Sequence, residues 1–264
     1  MAWGGMSLVL TAFAVGSGMA GYGPFAIVCA LLASAIAADY MTGLRNPTGI
    51  AERALFFRWL QTHRSPRAGF LFWATLMLAA SGEQLLLQDA LGNFEAAVYR
   101  YGIVYASVHE GEYWRLLMGG LFHSGPAHFL NNYFFLLFVG TLAWGLIGST
   151  QSIVIFGVGC IVGALAQMRF GAAGFDAYFG VSAGIFALHG APIACAVLDN
   201  RLAPKGFLTL LVGIFVISAA GSELLSAKAA TAAHMAGFAV GALLAMTMRI
   251  SASARTRLAR REPA

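Results

Sequence analysis

Charge is what this sequence of 264 residues has least of. Asp, Glu, Lys and Arg make up only 10% of it, against about 25% in an average soluble domain. With 59% apolar residues and a mean hydropathy of +0.75, a soluble fold of this length could neither bury its apolar surface nor cover it. The composition excludes an ordinary cytosolic enzyme, a disordered chain and a coiled coil. Cysteine is scarce too. Cys29, Cys160 and Cys195 are odd in number and far apart, and no CxxC occurs. That excludes a secreted disulfide scaffold and leaves them as small buried apolar residues. What remains is a multi-spanning membrane protein, and its 32 glycines suit helices that pack closely in lipid. The net charge of +5 does not indicate a nucleic-acid binder, because the charges lie in loops between apolar runs.

A helical span needs about 20 mostly apolar residues. Six runs meet this, near 69–87, 121–147, 150–168, 180–198, 206–222 and 230–248. The second is long enough to include a re-entrant or loop portion at its start. Residues 1–40 are apolar and too long for one straight span. Either two short spans turn at Gly21-Tyr22-Gly23-Pro24, or one tilted span is joined to an interfacial piece. No basic stretch precedes this run, so a signal peptide is not expected. Lys and Arg set the orientation. Arg45, Arg53, Arg58, Arg64, Arg67, Arg201, Lys205, Arg249, Arg255, Arg257, Arg260 and Arg261 fall on one side; Arg100, Arg115, Arg169 and Lys228 fall on the other. The expected topology puts the basic linker 41–66 and the basic tail 251–264 in the cytoplasm, with 88–120 outside. Pro66 marks the expected boundary before a bundle at 67–250.

With this topology the runs starting near 121, 180 and 230 all enter the membrane from outside. Their first turns share one depth, and polar residues gather there. The run near 180 opens with Gly180-Val181-Ser182-Ala183-Gly184. His234, Gly237 and Gly241 follow an i, i+3, i+7 pattern and line one helical face, and His128 and Asn132 share another. Glycines around Ser182 and His234 would let two helices nearly touch, so that a short hydroxyl meets an imidazole. Singly, each signal has a bland reading: a serine bonded to its own helix, a small-residue packing motif, a buried histidine. Several polar groups converging at one depth mark a site. Its parts suit acyl transfer: a serine nucleophile, His234 as base, and Asn132, His128 and the Ser182 N–H as oxyanion donors. No HExxH and no pair of helix-borne aspartates offers another proteolytic chemistry. Asp176 and Glu223 lie near the outer ends, but nothing in the sequence sets either beside His234, so a dyad is the simpler expectation.

In these residues the chain resembles the rhomboid intramembrane serine proteases. The resemblance begins at Glu112-Tyr113-Trp114-Arg115. It continues through His123, His128 and Asn132 to the Gly180-x-Ser182-x-Gly184 motif, and ends with His234, Gly237 and Gly241. It implies an all-α six-helix bundle at 67–250, with one or two extra N-terminal membrane segments. It implies a Ser182–His234 dyad with His128 and Asn132 in the oxyanion hole, and His123 as a structural or water-organising residue. Arg115 would pin the first outer loop. No metal or cofactor is implied. The implied partners are transmembrane protein substrates and the lipid bilayer, and the expected location is a bacterial inner membrane. Two positions depart from the family pattern. Trp144 stands about where a carboxylate is common, and Phe186 where a tyrosine often packs on the catalytic histidine. The competing reading is an inactive rhomboid-like protein that binds membrane segments. A transporter would predict internal repeats and mid-span charges, and neither is evident. His189, two turns below Ser182, reads as a buried histidine bonded within the bundle.

Overall fold

The computed structural model describes residues 47–171, 176–199, 202–204, 206–225 and 230–248, with isolated positions between 11 and 41. Apart from those positions, the expected N-terminal membrane segments and the basic tail lie outside the described residues. The chain divides into two compact units, residues 1–59 with 199–229, and residues 60–198 with 230–264.

α1 (Pro47–Thr62), which belongs to the first unit as far as Trp59, makes helix of much of the expected linker, and α9 (Phe207–Leu225) is the described apolar helix of that unit. Buried Phe56 meets Phe207 at 4.9 Å between ring centroids, and Phe57 meets it at 5.9 Å.

The first helix that lies wholly in the second unit is α2 (Arg64–Leu91). His63 caps it by accepting from the Ser65 N–H at 3.3 Å, and Gly92 ends it at φ +89°. The helix starts ahead of the expected boundary, with Pro66 in its first turn. There a missing N–H breaks no helical hydrogen bond. Gly69, Trp73, Met77 and Ala80 recur at helical spacing and are buried, while Leu71, Leu78 and Leu85, seven apart, are exposed on the opposite face. A leucine stripe turned outward along a long apolar helix is a lipid-facing surface.

Short elements follow: α3 (Phe94–Tyr101), β1 (Ile103–Val104), α4 (Tyr105–His109), α5 (Arg115–Met118) and a 3-10 turn at Gly119–Leu121. Then come α6 (Pro126–Ile147), α7 (Ser149–Phe170), β2 (Ala177–Tyr178), α8 (Ser182–Leu198) and α10 (Thr231–Thr247). The two strands form an antiparallel pair with Ile103 opposite Tyr178. α2, α6 and α7 are long and apolar enough to cross a membrane, and α8, α10 and most of α9 are shorter apolar helices. The six lie where the six apolar runs stand in the sequence. α8 is the hub of the second unit, packed on α6, α7 and α10. From Ser182 to Ala196 only Ile193 is not fully buried, so its apolar character runs all round the helix.

α2 meets α6 through a reciprocal exchange of glycine for tryptophan. A Cβ at Gly140 would lie 2.6 Å from the Trp73 indole, and one at Gly69 would lie 2.6 Å from Trp144. Trp144 also packs against Phe72 at 5.1 Å and edge-on to Trp73 at 5.9 Å. Where the resemblance expects a carboxylate, an aromatic cluster joins the two helices. Gly140→Val is expected to displace Trp73 and destabilise the fold by about 1–3 kcal/mol, the usual range for overpacking. A lowered thermal unfolding midpoint in detergent would register it.

Candidate active site

Ser182 is the first residue of α8, and a tight turn delivers the chain to it. The Gly180 N–H donates to Phe122 O at 2.8 Å, tying this turn to the segment ahead of α6. Gly180 has φ +90°, and a Cβ there would lie 2.7 Å from the His128 ring and 3.0 Å from Asn132 Nδ2. Glycine is therefore required twice over, for the backbone conformation and for the approach of two α6 side chains.

His234 lies in the first turns of α10. Its Nε2 is 2.9 Å from Ser182 Oγ, across 52 residues of sequence. The Phe186 ring, one turn below Ser182, lies flat on the imidazole at 4.4 Å between centroids and 8° between planes. Both Ser182 and His234 are buried.

The closeness of α8 and α10 has a steric origin. A Cβ at Gly237 would strike the Ala183 carbonyl, and one at Gly241 the Ala187 carbonyl. Gly190 does the same from the α8 side, against the carbonyl of Phe238. This corrects the expectation for Gly184 and Gly180. Gly184 faces α7, where its Cβ would lie 2.6 Å from Cys160 Sγ and 2.7 Å from Phe156. Two residues along a helix turn about 200°, so Gly184 points away from the side that carries Ser182. Gly180 lies outside the helix and makes room for His128 and Asn132. On the α8 side it is Gly190 that admits α10.

Asn132 is buried, and its Nδ2 has no hydrogen-bond partner; the same holds for His234 Nδ1. No carboxylate therefore completes a hydrogen-bonded triad among the described residues. Asp176 lies by Tyr105, whose N–H donates to the Asp176 carbonyl at 3.0 Å, and the side chain of Glu223 is outside the described set. His128 Nδ1 is 3.2 Å from Ser124 Oγ, and the His128 ring is 5.2 Å from the ring of His123. His123 is buried, with Nδ1 donating to Leu121 O at 2.8 Å. Arg115 is buried in the outer loop. Its Nη1 donates to Gly102 O at 2.7 Å, its Nε bonds Glu112, and its guanidinium lies 4.9 Å from the centre of the Trp114 ring. His189 is buried within α8.

Three residues around the site have no signal in the sequence. Gln84 on α2 clamps the backbone of His123, donating from Nε2 to its carbonyl at 2.8 Å and accepting its N–H at 2.9 Å. Buried Gln167 on α7 accepts the Ala233 N–H at 3.3 Å. That is one of the first-turn donors of α10 that the helix itself leaves unpaired. Tyr178 places its hydroxyl 3.2 Å from Ser182 Oγ. For the two glutamines, partners 39 and 66 positions apart, one of them backbone in each case, leave no local spacing to read; Tyr178 stands four residues before Ser182, at a spacing that belongs to no motif.

A buried hydroxyl bonded to an imidazole, with the Asn132 amide beside the Gly180 turn that leads to it, has the parts of a nucleophile–base pair. Its setting among long apolar helices makes this a helical integral membrane protein. Residues 110–251, more than half of the chain, match the Rhomboid domain, and the chain belongs to the rhomboid family. Members of that family are generally serine proteases that act on transmembrane substrates within the bilayer. No curated protein matches the chain. The matched stretch holds Arg115, Ser182 and His234, whereas Gln84 and all of α2 lie before it.

Proposed function

We propose that the protein is an intramembrane serine endopeptidase that cuts peptide bonds in or near the transmembrane segments of its substrates, with a Ser182–His234 dyad. The observation that carries this reading is the 2.9 Å contact between His234 Nε2 and Ser182 Oγ inside an apolar bundle. Serine alone is a weak nucleophile, and a base at hydrogen-bond distance activates it.

In the proposed reaction Ser182 Oγ attacks the scissile carbonyl carbon, and its proton passes to His234 Nε2. The new oxyanion lies at the start of α8, where helix N–H groups have no partner within the helix. The Ser182 N–H and the unpartnered Asn132 Nδ2 donate to it. With Nδ1 accepting from Ser124, His128 offers its Nε2–H as a further donor. The leaving amine takes the proton from His234. Water then attacks the acyl-enzyme, with His234 as base again. Phe186 holds the imidazole plane and faces the cation that forms in each half-reaction.

α8 has 17 residues, about 25 Å of helix. That is shorter than a hydrocarbon core of about 30 Å, which suits a nucleophile recessed below the membrane surface. The proposed catalytic domain is 67–250. The basic flanks support a cytoplasmic C-terminus, and a bacterial inner membrane is the proposed location.

The test uses the protein in liposomes with a single-pass reporter that carries small and helix-breaking residues near the outer end of its span. Cleavage by wild type, absent in Ser182→Ala, supports the reading. Folded wild type that binds reporters and cuts none points to the inactive family member. Asn132→Ala is expected to lower kcat by about 10²–10³-fold with KM little changed, the usual cost of one oxyanion donor.

A further inference from the structure

The hydroxyl of Tyr178 is a polar group of the site that the dyad does not use. It ends β2, is buried among Ile103, Leu116, Ala183 and Ala233, and lies 3.2 Å from Ser182 Oγ. On the serine-protease reading, the role of Ser182 sets the direction of these hydrogen bonds. Ser182 has one proton, and as a nucleophile it gives that proton to His234 Nε2. The phenol is then the donor to Oγ. The result is a directed chain from the Tyr178 hydroxyl through the Ser182 hydroxyl to the imidazole. Position 186 supplies a ring to this site and no hydroxyl; position 178 supplies the hydroxyl.

Resting on the serine-protease reading, we propose that Tyr178 is a third catalytic group, a phenol that donates a hydrogen bond to the nucleophile oxygen. In acylation the Oγ–H bond breaks, its proton goes to His234 Nε2, and the C–Oγ bond forms. Negative charge gathers on Oγ along the way, directly opposite the phenol proton. In deacylation water gives a proton to His234 as its oxygen adds to the acyl carbon; the C–Oγ bond of that intermediate then breaks, and Oγ takes the proton from His234. The same donor stabilises the departing oxygen. Tyr178 keeps its own proton throughout, so no further acid or base is needed.

The test is the second-order rate constant for labelling by a fluorophosphonate, which requires an activated serine and no substrate. Tyr178→Phe is expected to slow labelling about tenfold, as for loss of a hydrogen bond to a charged group, with the thermal midpoint little changed. With a cleavable reporter the loss should fall on kcat and not on KM. Tyr178→Met, which keeps neither ring nor hydroxyl, is the second variant and should be slowed at least as much. Tyr105→Phe is the control. That buried hydroxyl packs against the same cluster and has no hydrogen-bond partner, so labelling should keep the wild-type rate. Tyr178→Phe labelling at the wild-type rate would overturn this proposal alone. Equal slowing in Tyr105→Phe would reduce Tyr178 to packing and overturn it as well. Wild type that does not label would overturn the serine-protease reading on which it rests.

Discussion

Ser182→Ala and His234→Ala are each expected to reduce kcat by about 10⁶-fold while leaving the protein folded. That is the order of loss seen when a nucleophile or its base is removed from an enzyme in which the two act as a unit. The two groups meet at 2.9 Å, and His234 Nδ1 has no partner to supply residual function by another route. The losses should also fail to add. A double variant should be no slower than either single one, because once one partner is gone the other has nothing left to activate. Reporter cleavage in liposomes measures all three, with circular dichroism as the check on fold. Appreciable turnover in His234→Ala would mean that some other group takes the serine proton.

The second large effect is steric, and it acts at a distance from the chemistry. Gly241 lies two turns below His234, where α10 runs against the backbone of α8. A Cβ there would stand 2.5 Å from Ala187 Cα and closer still to the Ala187 carbonyl oxygen. No side-chain rotation relieves a clash with backbone, so Gly241→Val must push the helices apart. The expected cost is about 3 kcal/mol or more, at the upper end of the range for overpacked cores. The same displacement carries His234 away from Ser182. A misplacement of about 1 Å costs on the order of 10²-fold in rate. The variant should therefore show both a lowered thermal midpoint and at least that loss of cleavage. Gly213→Val is the contrast. It is a helical glycine with nothing within 4 Å of its Cβ, and it should leave the Ser182–His234 pair and the rate unchanged.

The spans were legible because lipid imposes a simple rule of length and apolarity. The run near 230–248 is the helix Thr231–Thr247, and the run near 150–168 is Ser149–Phe170. The face of Gly237 and Gly241 was legible because helical periodicity is local. Gly184 was misread for a related reason. Its place beside Ser182 in the sequence suggested a shared interface, but helical rotation turns it to α7. Elements such as α4, α5 and the two-residue strands are too short to carry a periodic signal. Their places are fixed by long-range pairings such as Ile103 with Tyr178. The polar supports were illegible for the same reason. Gln84 and Gln167 are ordinary residues until the fold brings His123 and Ala233 to them, and Tyr178, only four residues before Ser182, is set by a strand too short to read. At position 144 the sequence signalled only a missing carboxylate. The paired exchange of Gly69 and Gly140 with Trp144 and Trp73 that takes its place needs the helix crossing to be seen.

The most direct measurement is mass-spectrometric mapping of a fluorophosphonate adduct on the purified full-length protein in detergent. An activated serine forms the adduct without any knowledge of the natural substrate. A single adduct on the peptide containing Ser182, lost in His234→Ala, is the predicted result. Folded wild type without an adduct, or an adduct at Ser182 that persists undiminished in His234→Ala, would contradict the dyad.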